Sequence, residues 1–147
     1  VKDKAFTLIE IMMVLVIIGI LVSLMSAATF QAMKSSKESK AQADIAALET
    51  ALSAYKGDYG DYPPNLEGYN NFKVFLEEEH SDCCWNGPYM HFKDEDLDGD
   101  DLLDPWGKAY RYNVAGANNG DDYFDLWSCG PDGVDESGWN DDLNNWE

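Results

Sequence analysis

The chain has 147 residues, with 28 acidic against 10 basic side chains. The resulting net charge of −18 excludes nucleic acid as a direct ligand, since phosphate binding needs clustered Lys and Arg. Divalent cations are the natural counter-charge, because most of the excess acid lies after Lys93.

Residues 6–10 read Phe-Thr-Leu-Ile-Glu and open a mostly apolar run that continues to Phe30. From Ile11 to Met25 there is no charge and one Ser, and with its flanks the run reaches the roughly 20 residues that span a bilayer core as helix. Glu10 then falls at membrane depth, where an unpaired carboxylate costs on the order of a few kcal/mol. Lys2 and Lys4 precede the run, which predicts a cytoplasmic start and an exported remainder. If the leader Val1-Lys2-Asp3-Lys4-Ala5 were cut away, the new α-amino group of Phe6 would be a cation able to pair with Glu10 of a neighbouring copy. The plainer alternative is a simple anchor, with Glu10 partnered by Lys4 or snorkelling to the interface.

This N-terminus resembles the type IV pilin and pseudopilin class, whose members carry Phe-Thr-Leu-Ile-Glu after a short basic leader. The resemblance implies cleavage between Ala5 and Phe6 and N-methylation of Phe6 by prepilin peptidase. It also implies that Glu10 sets register and recruits the subunit into a helical filament. Two positions depart from the class: Ala5 stands where Gly is usual, and Ala27 stands where a mid-helix Pro is common, implying slower processing and a straighter helix.

Beyond Phe30 the pattern becomes amphipathic, with Ile45, Leu48, Ala51, Leu52 and Tyr55 at helical spacing. One helix from Phe6 to about Tyr59 is expected, ended by Gly57, Gly60, Pro63 and Pro64. A short second helix is expected within Leu66 to Glu79, through Phe72, Phe75 and Leu76. His80 to Met90 reads as a loop. Alternation over Ala109 to Val114 and again over Tyr123 to Ser128 predicts a hairpin, and the tail from Cys129 reads as irregular. Three cysteines lie in the exported part, so a bridge from Cys129 to Cys83 or Cys84 is expected, with one thiol left over.

Two segments have the composition of cation loops. Asp94, Asp96, Asp98 and Asp100 alternate around Gly99 like the start of a calcium loop, although Pro105 stands where an EF-hand has its closing Glu. In the second, Asp132 with Asp141 and Asp142 would bring three carboxylates around one hard cation, tying down a tail with few aliphatic residues. Asp104-Pro105-Trp106-Gly107 before the hairpin and Gly130-Pro131-Asp132-Gly133 after it narrow the resemblance to the major pseudopilins of type II secretion systems. That resemblance implies calcium in this last loop, held by the side chains of Asp132, Asp141 and Asp142, by Ser137, and by the carbonyls of Cys129 and Val134. The segment between Ser137 and Asp141 is about two residues longer than is usual in that group, through Gly138 and Trp139.

The sequence therefore predicts an α+β type IV pilin fold: a leader over residues 1–5, a membrane and filament-core helix over 6–30, and a periplasmic domain over 31–147 with a small antiparallel sheet and a calcium-bound C-terminal loop. The expected function is that of a structural subunit, polymerising into a pseudopilus anchored at the bacterial inner membrane and pushing cargo across the outer membrane. Its partners would be copies of itself, minor pseudopilins, an inner-membrane assembly platform with its ATPase, and prepilin peptidase. The alternatives are the major subunit of a surface pilus, used in adhesion, motility or electron transfer, and a membrane-anchored calcium-binding module that never polymerises. No catalytic constellation emerges, since neither His80 nor His91 has a Ser or Cys partner in context.

Overall fold

A computed structural model describes residues 6–65, 70–79, 84–120 and 122–146, without the side chains of 24–28. The leader expected over residues 1–5, together with His80 and Cys83, lies outside the described residues. The chain divides into two compact units, with the boundary between Ser36 and Lys37.

Helix α1 covers Leu8–Tyr59. Its start is fixed by Thr7 and Glu10, three residues apart. The Glu10 backbone N–H donates to Thr7 Oγ1 at 3.3 Å, and Glu10 Oε2 accepts from the Thr7 backbone N–H and hydroxyl, both at 2.8 Å. This reciprocal capping box satisfies donors that a helix N-terminus otherwise leaves open. At the far end the Gly60 N–H bonds the Lys56 carbonyl at 2.8 Å, with Gly60 at φ 87°, the left-handed cap that glycine adopts without strain.

In the first unit, the large apolar side chains from Phe6 to Val22 are all exposed, on every side of the helix. Among the described residues, no helix is long and apolar enough to cross a membrane. The expected span over 6–30 includes residues 24–28, whose side chains lie outside the description.

In the second unit, Ala41, Ile45, Leu48, Ala51, Leu52 and Tyr55 form the buried stripe of α1. Those from Ile45 onward pack with Phe72 and Leu76, and with Leu102, Tyr110, Phe124 and Leu126. Complete burial of a Leu or Phe is worth about 1.5–3 kcal/mol, so these few contacts dominate the stability of the unit.

The second helix, α2, is only Phe72–Leu76. Asn71 precedes it in the left-handed region at φ 48°, which Asn tolerates better than most residues. The buried Asn70 and Asp101 secure this start: Asp101 Oδ1 accepts from the backbone N–H groups of Asn70 and Asn71 at 2.7 and 3.0 Å. Asn70 Nδ2 donates to the carbonyls of Leu102 and Tyr110, and its Oδ1 accepts from the Leu102 N–H at 3.0 Å.

Two small antiparallel sheets follow. Strands β1 (Leu97–Asp98) and β2 (Asp101–Leu102) form a tight hairpin with Leu97 opposite Leu102. In the other sheet β4 (Asp125–Ser128) lies between β3 (Arg111–Asn113) and β5 (Leu143–Asn144). Arg111 faces Trp127 across one ladder, and Trp127 faces Asn144 across the other. The expected hairpin is β3–β4, whereas β5 was not legible in the polar tail. Asn145 extends that strand through its side chain: Asn145 Oδ1 accepts from the Leu126 N–H at 2.9 Å, and Asn145 Nδ2 donates to Glu49 of α1 at 3.1 Å.

Candidate functional site

The Asp-Pro-Trp-Gly turn and the segment after β4 are joined by buried hydrogen bonds. Asp104 is buried, and its Oδ1 accepts from the backbone N–H groups of Trp106 and Lys108, both at 2.9 Å. Its Oδ2 accepts from Ser128 Oγ at 2.6 Å, and Ser128 Oγ accepts in turn from the Gly130 N–H at 3.2 Å. Gly130 has φ 62°, and a Cβ there would collide with the carbonyl of Asp141. The returning chain therefore passes directly against the turn that leaves β4.

The loop between them is organised by three aspartates. Asp132 Oδ1 accepts from the Val134 N–H at 2.7 Å. Asp135 Oδ1 accepts from Trp127 Nε1 at 3.0 Å and from the Ser137 N–H at 3.1 Å, while its Oδ2 pairs with Arg111 Nε at 3.1 Å. Asp142 Oδ2 accepts from the N–H groups of Glu136 and Gly138 at 3.0 and 2.8 Å. Asp142 is only 8% exposed, and its Oδ1 is buried without a hydrogen-bond partner, as is Glu136 Oε2. Burial pushes the Asp142 carboxyl above the ordinary aspartate value, opposed by the two backbone donors and reinforced by repulsion from Asp135 and Glu136.

The three expected carboxylates do not converge. Asp132 and Asp141 are exposed while Asp142 is buried, and among the described residues no group of three or more His, Cys, Asp or Glu is placed to hold a metal ion. Val134 and Ser137 are exposed, and Ser137 sits at φ 59°. Glu136 and Asp135, which the sequence did not single out, are the acids whose charge acts on Asp142. In a tail this acidic, no spacing distinguishes them.

The earlier acidic segment folds as a turn followed by a hairpin. Asp94–Asp96 form a 3-10 turn, Asp96 pairs with Lys40 at 2.9 Å, and the chain reverses at Gly99 so that Asp98 faces Asp101. Gly99 at φ 66° takes the first loop position of that two-residue hairpin, and Asp98 and Asp100 point to solvent. Strand pairing thus sets where the alternating acids lie.

Cys129 is a buried free thiol among the described residues, unbridged to Cys84, while Cys83, the other expected partner, lies outside them. Burial raises the Cys129 thiol, opposed by a hydrogen bond with Arg111. Cys84 is exposed.

At the other end of the chain, Phe6 is exposed, Ala5 lies outside the described residues, and Glu10 is engaged by Thr7. The sequence reading missed this intrachain partner, although Thr-x-x-Glu ahead of an apolar run is its signal.

Comparison with known proteins covers both ends. A family model described as "Type II secretion system (T2SS), protein G" matches residues 28–146, and one described as "Prokaryotic N-terminal methylation motif" matches residues 1–26. The chain is 35% identical over 146 residues to the type II secretion system core protein G of Klebsiella pneumoniae, covering 99% of this chain and 95% of that one. It is 36% identical over 145 residues to the protein of the same name from Escherichia coli K12, covering 99% and 92%. With that of Aeromonas hydrophila it shares 34% identity over 148 residues, covering 99% and 93%.

Proposed function

The chain belongs to the type II secretion system protein G family, and from that premise we propose that it polymerises through α1 into a periplasmic pseudopilus that drives folded proteins across the outer membrane. It is a pseudopilin, a structural subunit of type II secretion. The observation that carries the filament reading is the unpartnered apolar surface of α1 from Phe6 to Val22, exposed on all sides. A helix apolar all round is stable only in lipid or among other helices. A pseudopilin uses both in turn, the inner membrane before assembly and copies of itself afterwards.

Residues 6–30 would cross that membrane once with the N-terminus in the cytoplasm, delivered to the filament by the assembly platform and its ATPase after prepilin peptidase has cut before Phe6. Minor pseudopilins would join the same polymer. The Thr7–Glu10 box keeps the carboxylate hydrogen-bonded within one chain, and the new Phe6 amine of a neighbouring copy would supply the missing positive charge. The second unit has a pilin-like build, with an amphipathic helical stripe laid on small antiparallel sheets.

Calcium is the ion proposed for the C-terminal loop. The fit rests on Asp142, whose Oδ1 is buried with no partner while Oδ2 is oriented by two backbone donors. A carboxylate oxygen without a hydrogen-bond donor suits a hard cation, which takes oxygen ligands. Asp142 would be the side-chain ligand, with the carbonyls of Cys129 and Val134 and the Ser137 hydroxyl as the resemblance implies. Asp132 and Asp141, both exposed, are the other side chains that the resemblance implies. Bound calcium would supply the positive charge that lets Asp142 stay ionised while buried.

In cells lacking the gene, secreted proteins should collect in the periplasm while surface filaments persist. Normal secretion with surface filaments lost would instead establish a surface pilus. Complementation with Glu10→Ala should fail to restore secretion, and full restoration would remove Glu10 from assembly.

A further inference from the structure

We infer that Glu136 is a second carboxylate ligand of the C-terminal calcium, beside Asp142; the inference rests on the calcium reading above. Asp142 Oδ2 holds the backbone N–H of Glu136 at 3.0 Å and that of Gly138 at 2.8 Å, so the turn carrying Glu136 is built on Asp142 itself. These bonds use one oxygen of the Asp142 carboxylate and leave Oδ1 buried without a partner, on a residue only 8% exposed. Glu136 Oε2 is the only other carboxylate oxygen among the described residues that is buried without a partner, and it belongs to the residue that Asp142 anchors.

A buried acceptor without a donor carries its full desolvation penalty, and two such anions in one turn also repel. One dication removes both costs, since each oxygen gains a ligand bond and the charge of the pair is neutralised. Arg111, the arginine of this region, pairs instead with Asp135 at 3.1 Å. Glu136 also lies just before Ser137 and Gly138, which have φ 59° and 84°. Two successive residues at positive φ turn the chain sharply directly after Glu136.

The test uses the full chain in detergent micelles, stripped of metal and titrated with calcium chloride by calorimetry, alongside Glu136→Gln, Glu136→Asp and Asp142→Asn. Glu136→Gln should weaken calcium binding by on the order of tenfold or more, because ligand charge count tunes such sites. It should also shrink the rise in melting temperature that calcium produces, while the metal-free melt stays cooperative and no lower than wild type. Glu136→Asp, too short by one methylene to reach the same point, should weaken binding as well. If both Glu136 variants bind like wild type while Asp142→Asn does not, Glu136 is no ligand and the calcium reading stands. If the wild-type chain binds no calcium, the calcium reading falls and this inference falls with it.

Discussion

Ser128 Oγ donates to Asp104 Oδ2 at 2.6 Å, tying the end of β4 to the Asp-Pro-Trp-Gly turn 24 residues earlier. The same carboxylate accepts from the N–H groups of Trp106 and Lys108, so one buried side chain closes its own turn and fixes the strand that leads into the C-terminal loop. Asp104→Ala would leave three donors without an acceptor. A loss of about 3 kcal/mol or more is expected, since bonds to a charged group are worth about 1.5–3 kcal/mol each. Asp104→Asn keeps one oxygen acceptor and should cost less. Urea denaturation of the full chain in micelles measures both, and an Ala variant as stable as wild type would show that the turn closes without this carboxylate.

The two parts of α1 should respond oppositely to truncation. Leu48 is fully buried in the core of the second unit, and Leu48→Ala should lower its stability by about 2–5 kcal/mol. Ile17 is exposed, and Ile17→Ala should leave that unfolding transition within about 0.5 kcal/mol of wild type. Tryptophan fluorescence reports the transition, since all five Trp residues lie after residue 84. A large shift with Ile17→Ala would mean that the apolar half of α1 is part of the same cooperative fold.

Gly130 is expected to resist substitution. At φ 62° an added Cβ is strained by about 1–2 kcal/mol, and it would also meet the Asp141 carbonyl. Gly130→Ala should therefore destabilise by more than backbone strain alone and disturb Asp142, the next residue along. Gly99 also has a positive φ, 66°, but open space around it, so Gly99→Ala shows the strain without the collision. Equal melting temperatures for the two variants would argue against the close approach.

Asp44 gives a pH dependence with a defined sign. Burial raises its carboxyl above the ordinary 3.8, while the Tyr110 hydroxyl and Lys40 act the other way and Asp96 adds repulsion. The folded chain keeps this proton where the unfolded chain has lost it. The resulting stabilisation is complete below 3.8 and disappears as pH rises through the higher folded value. Asp44→Asn keeps an acceptor for the Tyr110 hydroxyl, which donates to Asp44 Oδ2 at 3.2 Å, and does not titrate. The stability of wild type relative to this variant should fall as pH rises from below 3.8 toward neutrality, and a flat difference would remove burial as the governing effect.

What the sequence determined by itself was whatever depends on neighbours along the chain. Thr7 and Glu10, three residues apart, start α1, and it ends at the expected Tyr59, capped by Gly60. The stripe from Ile45 to Tyr55 is the buried face, and the alternation around Tyr112 and Leu126 marks strands that pair in register. The same local motifs at the two ends carried the family. Tertiary structure decided which polar groups are buried and what they meet. Asn70 with Asp101, Asn145 with Leu126 and Glu49, and Ser128 with Asp104 are joined across 19 to 96 residues. No periodicity announces such pairs, because each is selected by the space and the unsatisfied backbone groups that remain after the apolar residues have packed. The acidic loops show the same division. Composition predicted carboxylates suited to a cation, but only folding turned Asp98 and Asp100 into a solvent-facing hairpin tip and left one oxygen each of the buried Asp142 and the half-buried Glu136 enclosed without a donor.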